Sequence, residues 1–168
     1  PPVFKEGVFD KHGKWMDGWE TRRRRKKGHD FLILKLGKPG KIHKVDIDTS
    51  YFSGNQPTKV SLDACFHKKQ LPSKNTKWIK ILKKKSTKAN SHHFFNIKNK
   101  SIFTHIKLNI YPDGGVARIR IYGSMQTKKK FGKKIINLTS ILNGATPIAC
   151  NNEHFGRAEN ILAPGTGK

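Results

Sequence analysis

Residue types that can do chemistry lie close together between Asp17 and Asp30, in the stretch DGWETRRRRKKGHD. Carboxylates and a histidine can transfer protons or hold a divalent ion. The guanidinium group of arginine binds a carboxylate or a phosphate through two parallel hydrogen bonds. The stretch therefore predicts either a ligand site for an anion or a charged edge strand, and spacing alone does not decide between them.

The basic run from Arg22 to Lys27 follows Trp19, which needs burial, and leads directly into an apolar strand. A basic run that is held between buried elements is not expected to form a free, solvated tag. We predict that Arg22 and Arg23 reach an anionic ligand. The other four basic residues of the run are predicted to face water.

The charge of the chain is unevenly distributed. The 168 residues are enough for one domain, and 35 basic against 11 acidic residues give a net charge of +24. Taken alone, this balance favours a polyanionic partner, although a lysine-rich surface can simply keep a protein soluble. Eight of the eleven acids lie in the first 63 residues, and none lies between Ala64 and Pro112, where there are twelve lysines. The N-terminal third is therefore predicted to carry the chemistry.

Short alternating segments bounded by turn residues recur along the chain and predict an antiparallel sandwich. The segment DFLILKLG (Asp30 to Gly37) is apolar on both faces, which indicates a core strand. The following KPGK predicts a turn before a second strand. A helix is predicted only for INLTSILNG (Ile136 to Gly144), with Gly144 at its end.

The remaining polar patterns have ordinary structural interpretations. Asp46 and Asp48 are two residues apart on a predicted strand, so both side chains leave on the same face, and pairing with nearby arginines is expected. The segment VARIRIYG predicts that Arg118 and Arg120 point outward. His92 and His93 are predicted to lie at the surface. Asp113 to Gly115 predicts a turn.

Four blocks of the sequence resemble the allantoicase family. They are GKWMDGWETRRRR with the following GHD, then LGKPGKIHKVDIDTSYFSGNQP, then LNIYPDGGVARIRIYG, and finally ACNNEHFGRAENILAPG. The resemblance implies an all-β fold, an antiparallel jelly-roll sandwich similar to galactose-binding domains, which the family carries as a tandem repeat. It also implies a hydrolase of the amidine type, acting on C–N bonds other than peptide bonds. This hydrolase would cleave allantoate to ureidoglycolate and urea in purine (allantoin) degradation.

The same resemblance implies a set of site residues. Asp17, Glu20 and His29 are the candidates for proton transfer or metal contact, and a divalent metal as cofactor stays open. The residues implied to bind substrate or shape its pocket are Arg22, Arg23, Trp19, Asp48, Asn55 and His154.

The order of the blocks departs from the family pattern, in which a block like HFG…NIL precedes a block like DGWETRR. Here the first of these comes last, at His154. We therefore expect an allantoicase repeat without its opening block over 1–123, a linker with a short helix over 124–149, and the truncated opening block of a second repeat over 150–168. An alternative hypothesis is that the terminal block completes the same sandwich, in effect as a circular permutation.

Three classes of function stay open at this point: a hydrolase of allantoate, an inactive fragment or ligand-binding sandwich module, and a basic protein that binds nucleic acid non-specifically. The clustered acids favour the first class over the third. The expected partner is a small molecule, a homo-oligomer is compatible with the sequence, and nucleic acid is disfavoured. No apolar run reaches the ~18 residues of a membrane helix, and no signal-peptide pattern is present, so a cytoplasmic protein is expected.

Overall fold

The computed structural model describes residues 8–10, 13–14, 17–127 and 130–166. All strand pairings there are antiparallel and no α-helix is present, which confirms the predicted all-β fold. No helix among these residues is long and apolar enough to cross a membrane. The strands of the described residues are β1 (Phe9–Asp10), β2 (Gly13–Lys14), β3 (Trp19–Glu20), β4 (Asp30–Asp48), β5 (Lys59–Cys65), β6 (Ile79–Ser86), β7 (His92–Asn96), β8 (Ile102–Tyr111), β9 (Gly115–Val116), β10 (Arg118–Thr127), β11 (Lys130–Asn137) and β12 (Thr146–Cys150).

Strand β4 connects the two layers of the sandwich. Its first half, from Asp30 to Lys35, pairs with β8 and β12, and β8 continues through β5 to β6. Its second half, up to Asp48, pairs with β10 and β7, and β10 continues to β11. Strand β4 therefore forms hydrogen bonds with strands of both layers. Its buried leucines and isoleucines belong to one common core.

The predicted turn at Lys38 to Lys41 is wrong, because β4 continues through it. The pairing with β8 is interrupted between Lys35 and Gly40, where the strand changes partners. A Cβ atom at Gly37 would lie 2.0 Å from the carbonyl oxygen of Asn143, so the neighbouring chain approaches too closely for any side chain. Gly37 therefore allows another segment to approach a continuous strand, and it does not mark a reversal of the chain.

The core has the composition that the alternating pattern predicts. Leu32, Leu34, Ile106 and Leu108 are fully buried between the layers, whereas Phe31 and Ile33 on the other face of β4 are half-buried. Such burial contributes about 1.5–3 kcal/mol for each large aliphatic side chain. Both cysteines are free, and burial raises the pKa of the Cys65 thiol to about 11.

Residues 124–149 contain the end of β10, strand β11, a short 3₁₀ helix and most of β12. The helix covers Ile141–Asn143, and Ser140 caps it by accepting a hydrogen bond from the Leu142 amide. Gly144 ends it with a φ of 84°, the left-handed conformation expected of a glycine there. The helix is one turn long because β11 extends to Asn137. The domain boundaries themselves stay a prediction.

A buried histidine fixes the loop that follows β5. The His105 side chain is 0% exposed, and its Nε2 lies 2.9 Å from the carbonyl oxygen of Gln70, to which it donates. Its Nδ1 lies 2.8 Å from the hydroxyl of Thr104, which can donate to it. Burial lowers the pKa of His105 below the ordinary value of 6.5, and the charges of His67 and Lys35 act in the same direction. The hydrogen bond to Gln70 opposes this shift, and burial remains the largest cause.

We expect a loss of stability as the pH falls below about 6.5, because the unfolded chain then binds a proton that buried His105 does not accept. Urea denaturation at pH 8, 7, 6 and 5 measures this slope. His105→Gln should cost about 1–3 kcal/mol at pH 8 through its lost hydrogen bonds, and it should flatten the slope. The exposed His43→Gln is the control and should keep it. An unchanged slope in His105→Gln would contradict the assignment.

Candidate functional site

The short strand β3 is held between two other segments of the chain. On one side Trp19 pairs with Val116 in β9. On the other side the Glu20 amide donates to the carbonyl of Gly156 at 3.2 Å, and the His154 amide donates to the carbonyl of Glu20 at 3.1 Å. The Trp19 indole is 0% exposed and donates to the carbonyl of Asn152 at 3.0 Å. The buried Trp19 thus anchors β3 in the core, and Glu20 lies on the opposite face of this strand.

Glu20 is a buried carboxylate without a cationic partner among the described residues. Its side chain is 7% exposed, and its Oε1 accepts a hydrogen bond of 2.7 Å from the Asn55 amide group. Burial raises the pKa of Glu20 above the ordinary value of 4.5, the Asn55 hydrogen bond opposes this, and the nearby charge of Asp113 adds to it. A carboxyl group of this kind can hold a proton closer to neutral pH than an exposed glutamate can.

The Asp113–Gly115 turn positions the two groups that act on the Glu20 carboxylate, which are Asn55 and Asp113 itself. The sequence did not predict this role of the turn. The Gly115 amide donates to the carbonyl of Asn55 at 2.8 Å, and the Thr21 amide donates to the carbonyl of Gly114 at 3.1 Å. Gly114 has a φ of 130°, and a Cβ there would lie 2.6 Å from the carbonyl oxygen of Asn55. The glycines therefore allow this turn to pack tightly against the Asn55 loop.

Arg22 follows Glu20 by two positions, and His154 reaches the same strand through its backbone amide. An Nη2 atom of Arg22 lies 3.2 Å from Nδ1 of His154, and the Arg22 amide donates to Oδ1 of Asn152 at 2.9 Å. Since a guanidinium group can only donate, this contact is a hydrogen bond when Nδ1 of His154 carries no proton. The structure thus brings together five predicted site residues, which are Trp19, Glu20, Arg22, Asn55 and His154.

The arginine run forms one wall of an open cleft of about 210 Å³. Arg23, another predicted site residue, lines this cleft and is exposed. Arg24 does not face water as predicted, because its side chain binds the buried carboxylate of Asp30 and its amide donates to Asp113 at 2.7 Å. The cleft is lined by Arg22, Arg23, Arg24, Arg25, Lys26, Asp30 and Asn152.

Two predicted site residues, Asp17 and Asp48, belong to a different cluster. Asp17 accepts two parallel hydrogen bonds of 2.9 Å from Arg118. Asp48 accepts from Arg120 at 3.3 Å and lies 3.6 Å from Nε2 of His92. Asp46 takes part in the same network, which agrees with the expected pairing by arginines.

His29, the third predicted catalytic residue, is half-buried between other partners. Its Nε2 lies 3.2 Å from Oδ1 of Asn109, and its ring lies 4.7 Å from that of Tyr111. No interaction of His29 with Glu20 or Arg22 is found among the described residues. The structure therefore places the predicted site residues in four surroundings. Glu20 and its neighbours form the first, and the cleft with Arg23 is the second. Asp17 and Asp48 are paired with Arg118 and Arg120, and His29 lies apart from all of these.

Several residues of these groups were missed or placed wrongly by the sequence analysis. Arg118 points away from the apolar core as predicted, yet it is 2% exposed because Asp17 covers it. His92 lies at the surface as predicted, and it also contacts Asp46, which the sequence did not indicate. Asn151 and Asn152 belong to the segment ACNNEHFGRAENILAPG, but no local sequence signal distinguishes them from ordinary loop residues. No group of three or more metal-binding side chains is found in the part of the chain that the structure describes.

Fold and site together define an all-β sandwich with an open cleft lined by arginines. The family model of the Allantoicase repeat matches residues 2–126. This chain therefore belongs to the allantoicase family.

Individual relatives support the same assignment. A protein named probable allantoicase from Pseudomonas fluorescens (strain SBW25) is 50% identical over 169 residues, which are 99% of this chain and 51% of that protein. One of the same name from Photobacterium profundum is 47% identical over 98% of this chain and 51% of its own length. The crystal structure of allantoicase from Saccharomyces cerevisiae matches with a TM-score of 0.61 and 36% identity, over 89% of this chain and 48% of that one. The chain spans about half the length of the curated relatives it matches.

Removing the charge of Glu20 should stabilise the protein. Glu20→Gln can keep the hydrogen bond from Asn55 while it relieves the burial of a charge beside Asp113. We expect a gain of about 0.5–2 kcal/mol at pH 7.5 in chemical denaturation. The gain should shrink as the pH falls toward 4.5, because wild-type Glu20 then becomes neutral as well. The exposed Glu159→Gln is the matched control and should change little. A destabilised Glu20→Gln would show that the carboxylate is structurally required.

Proposed function

We propose that this chain is a hydrolase that cleaves allantoate to ureidoglycolate and urea in purine (allantoin) degradation. The observation that carries the proposal is the buried carboxyl group of Glu20, which has no cationic partner among the described residues and precedes Arg22, the first residue of the arginine-lined cleft, by two positions. The family and the names of the relatives support the choice of reaction. Because the chain spans about half of those relatives, its own activity is part of the proposal.

The substrate would bind through its carboxylate. Allantoate carries one carboxylate and two ureido groups on a single carbon, and guanidinium groups match a carboxylate in geometry and charge. Arg22 and Arg23 line the cleft and are exposed, so both can turn toward such a group. In this arrangement the ureido groups lie toward Glu20 and Asn55.

The reaction needs one proton and one water molecule. As the C–N bond breaks, the departing nitrogen takes a proton and leaves as urea, and the oxygen of a water molecule bonds to the same carbon. We assign the proton to Glu20, because its raised pKa favours the protonated acid. When Arg22 turns toward the substrate carboxylate it releases Nδ1 of His154, and this nitrogen can then accept the proton that the water gives up.

Urea release from allantoate by the purified chain tests the proposal, with added divalent metal and with EDTA in parallel. We expect release by the wild type, a fall in kcat of about 10²–10⁴-fold in Glu20→Gln, and a higher KM in Arg22→Ala. Arg157→Ala and Glu159→Gln change exposed residues outside the cleft and serve as controls. Unchanged release in both site variants would refute the assignment of the site. No release by the folded wild type would refute the activity of this chain.

The charge of Asp113 should tune the reaction through Glu20. Asp113→Asn removes a like charge that helps to raise the pKa of Glu20, so that pKa should fall. If Glu20 acts as the acid, the alkaline limb of the kcat profile moves to lower pH. Asp63→Asn, which changes a carboxylate paired with Lys80, should leave the profile in place. A fall in rate without a shift of the limb would mean that Asp113 only maintains the turn.

A further inference from the structure

One oxygen atom of Asp30 is buried without a hydrogen-bond partner. The side chain is 1% exposed, and its Oδ1 accepts from Nε of Arg24 at 3.1 Å and from the Asn151 amide group at 2.9 Å. Its Oδ2 has no partner, a condition shared only with Nε of Arg118 among the described residues. Buried polar atoms of proteins are nearly always paired, and an unpaired one costs about 1–3 kcal/mol. A single unpaired oxygen on an otherwise well-bound carboxylate therefore points to an external donor.

The position of Asp30 indicates what kind of donor that is. Asp30 is the one acidic residue that lines the cleft, among the four arginines and Lys26. The cationic side chains can only donate, whereas an ionised carboxylate can only accept. A ligand that satisfies both must have an anionic end for the arginines and an N–H or O–H group for Oδ2. Neutral urea lacks the anionic end, whereas hydrogen phosphate meets both requirements through its O–H group and is therefore the competing ligand that a test has to separate.

We propose that Oδ2 of Asp30 accepts a hydrogen bond from a ureido N–H of a small carboxylate, and that this contact selects ureido acids from other anions. The proposal rests on the proposed function and identifies a residue that determines its specificity. Oδ2 is shielded from solvent, so the ligand reaches it only when a side chain of the cleft shifts. The side chains of Arg23 and Arg25 line the same cleft and are exposed, so both can turn toward the ligand carboxylate.

Two probes of equal shape test this contact on the wild-type chain. Ureidoacetate carries the N–H groups, and levulinate has a methyl and a methylene group in their places. Isothermal titration calorimetry should show that ureidoacetate binds at least tenfold more tightly than levulinate or inorganic phosphate. A site built to bind an N–H group rejects an analogue that lacks it, because its polar atom is then left unpaired. Equal binding of ureidoacetate and levulinate, tighter binding of phosphate, or no binding of ureidoacetate would overturn the proposal.

Asp30→Asn tests the residue. An asparagine that keeps its oxygen toward Arg24 and Asn151 places an NH₂ group where Oδ2 was, so a donor then faces a donor. The preference for ureidoacetate should fall below about threefold, whereas Asp63→Asn outside the cleft should keep the full preference. A folded Asp30→Asn that retains the wild-type preference would overturn the assignment. Thermal unfolding establishes whether the variant folds, and if it does not, the two probes on the wild type decide.

The binding measurement is separate from turnover. If ureidoacetate is preferred but no urea is released from allantoate, the inference about Asp30 stands and the proposed function fails. If urea is released while levulinate and ureidoacetate bind equally, the proposed function stands and the inference fails.

Discussion

The site depends on the backbone pairing of β3 with two other segments of the chain. This strand has two residues, too few to be stable alone, and it is held because β9 pairs with it on one side and the segment around Gly156 on the other. The hydrogen bond from Trp19 to Asn152 joins residues 133 positions apart. Since neighbouring residues of a strand face opposite sides, burial of Trp19 determines where Glu20 points. The positions of Arg22 and the cleft follow from the same constraint.

The second constraint is electrostatic. In a chain with a net charge of +24, a carboxylate finds a cation easily, and Asp17, Asp30, Asp46 and Asp48 each have one. Glu20 and Asp113 are also buried, but neither has an ion-pair partner within the described ranges. A buried carboxylate that stays unpaired amid such an excess of cations costs stability. This contrast separates the residues that hold the fold together from those available for chemistry, and the sequence alone does not reveal it.

The sequence predicts the core better than the site, for a physical reason. Alternation reports which face of a strand is apolar, so Leu32, Leu34 and Leu36 were identified correctly, whereas Phe31 and Ile33 on the opposite face are only half-buried. It does not report what covers the other face, and Arg118 was therefore predicted as outward although Asp17, 101 residues earlier, buries it. The interruption of the β4 register between Lys35 and Gly40 was taken for a turn, because proline and glycine occur in both. Arg24 was missed because its partners depend on the tertiary fold.

The sequence unit and the folded unit of this family differ in extent. The match to the repeat ends at residue 126, yet the sandwich also includes β12, whose hydrogen bonds to β4 extend the layer that begins at Asp30. The segment after β12 supplies Asn151 to the carboxylate of Asp30, Asn152 to Trp19 and His154 to Arg22. These contacts support the hypothesis that the terminal block completes this same sandwich. A site so built is not complete within the repeat that the sequence defines, because the residues that close it come from the chain that follows.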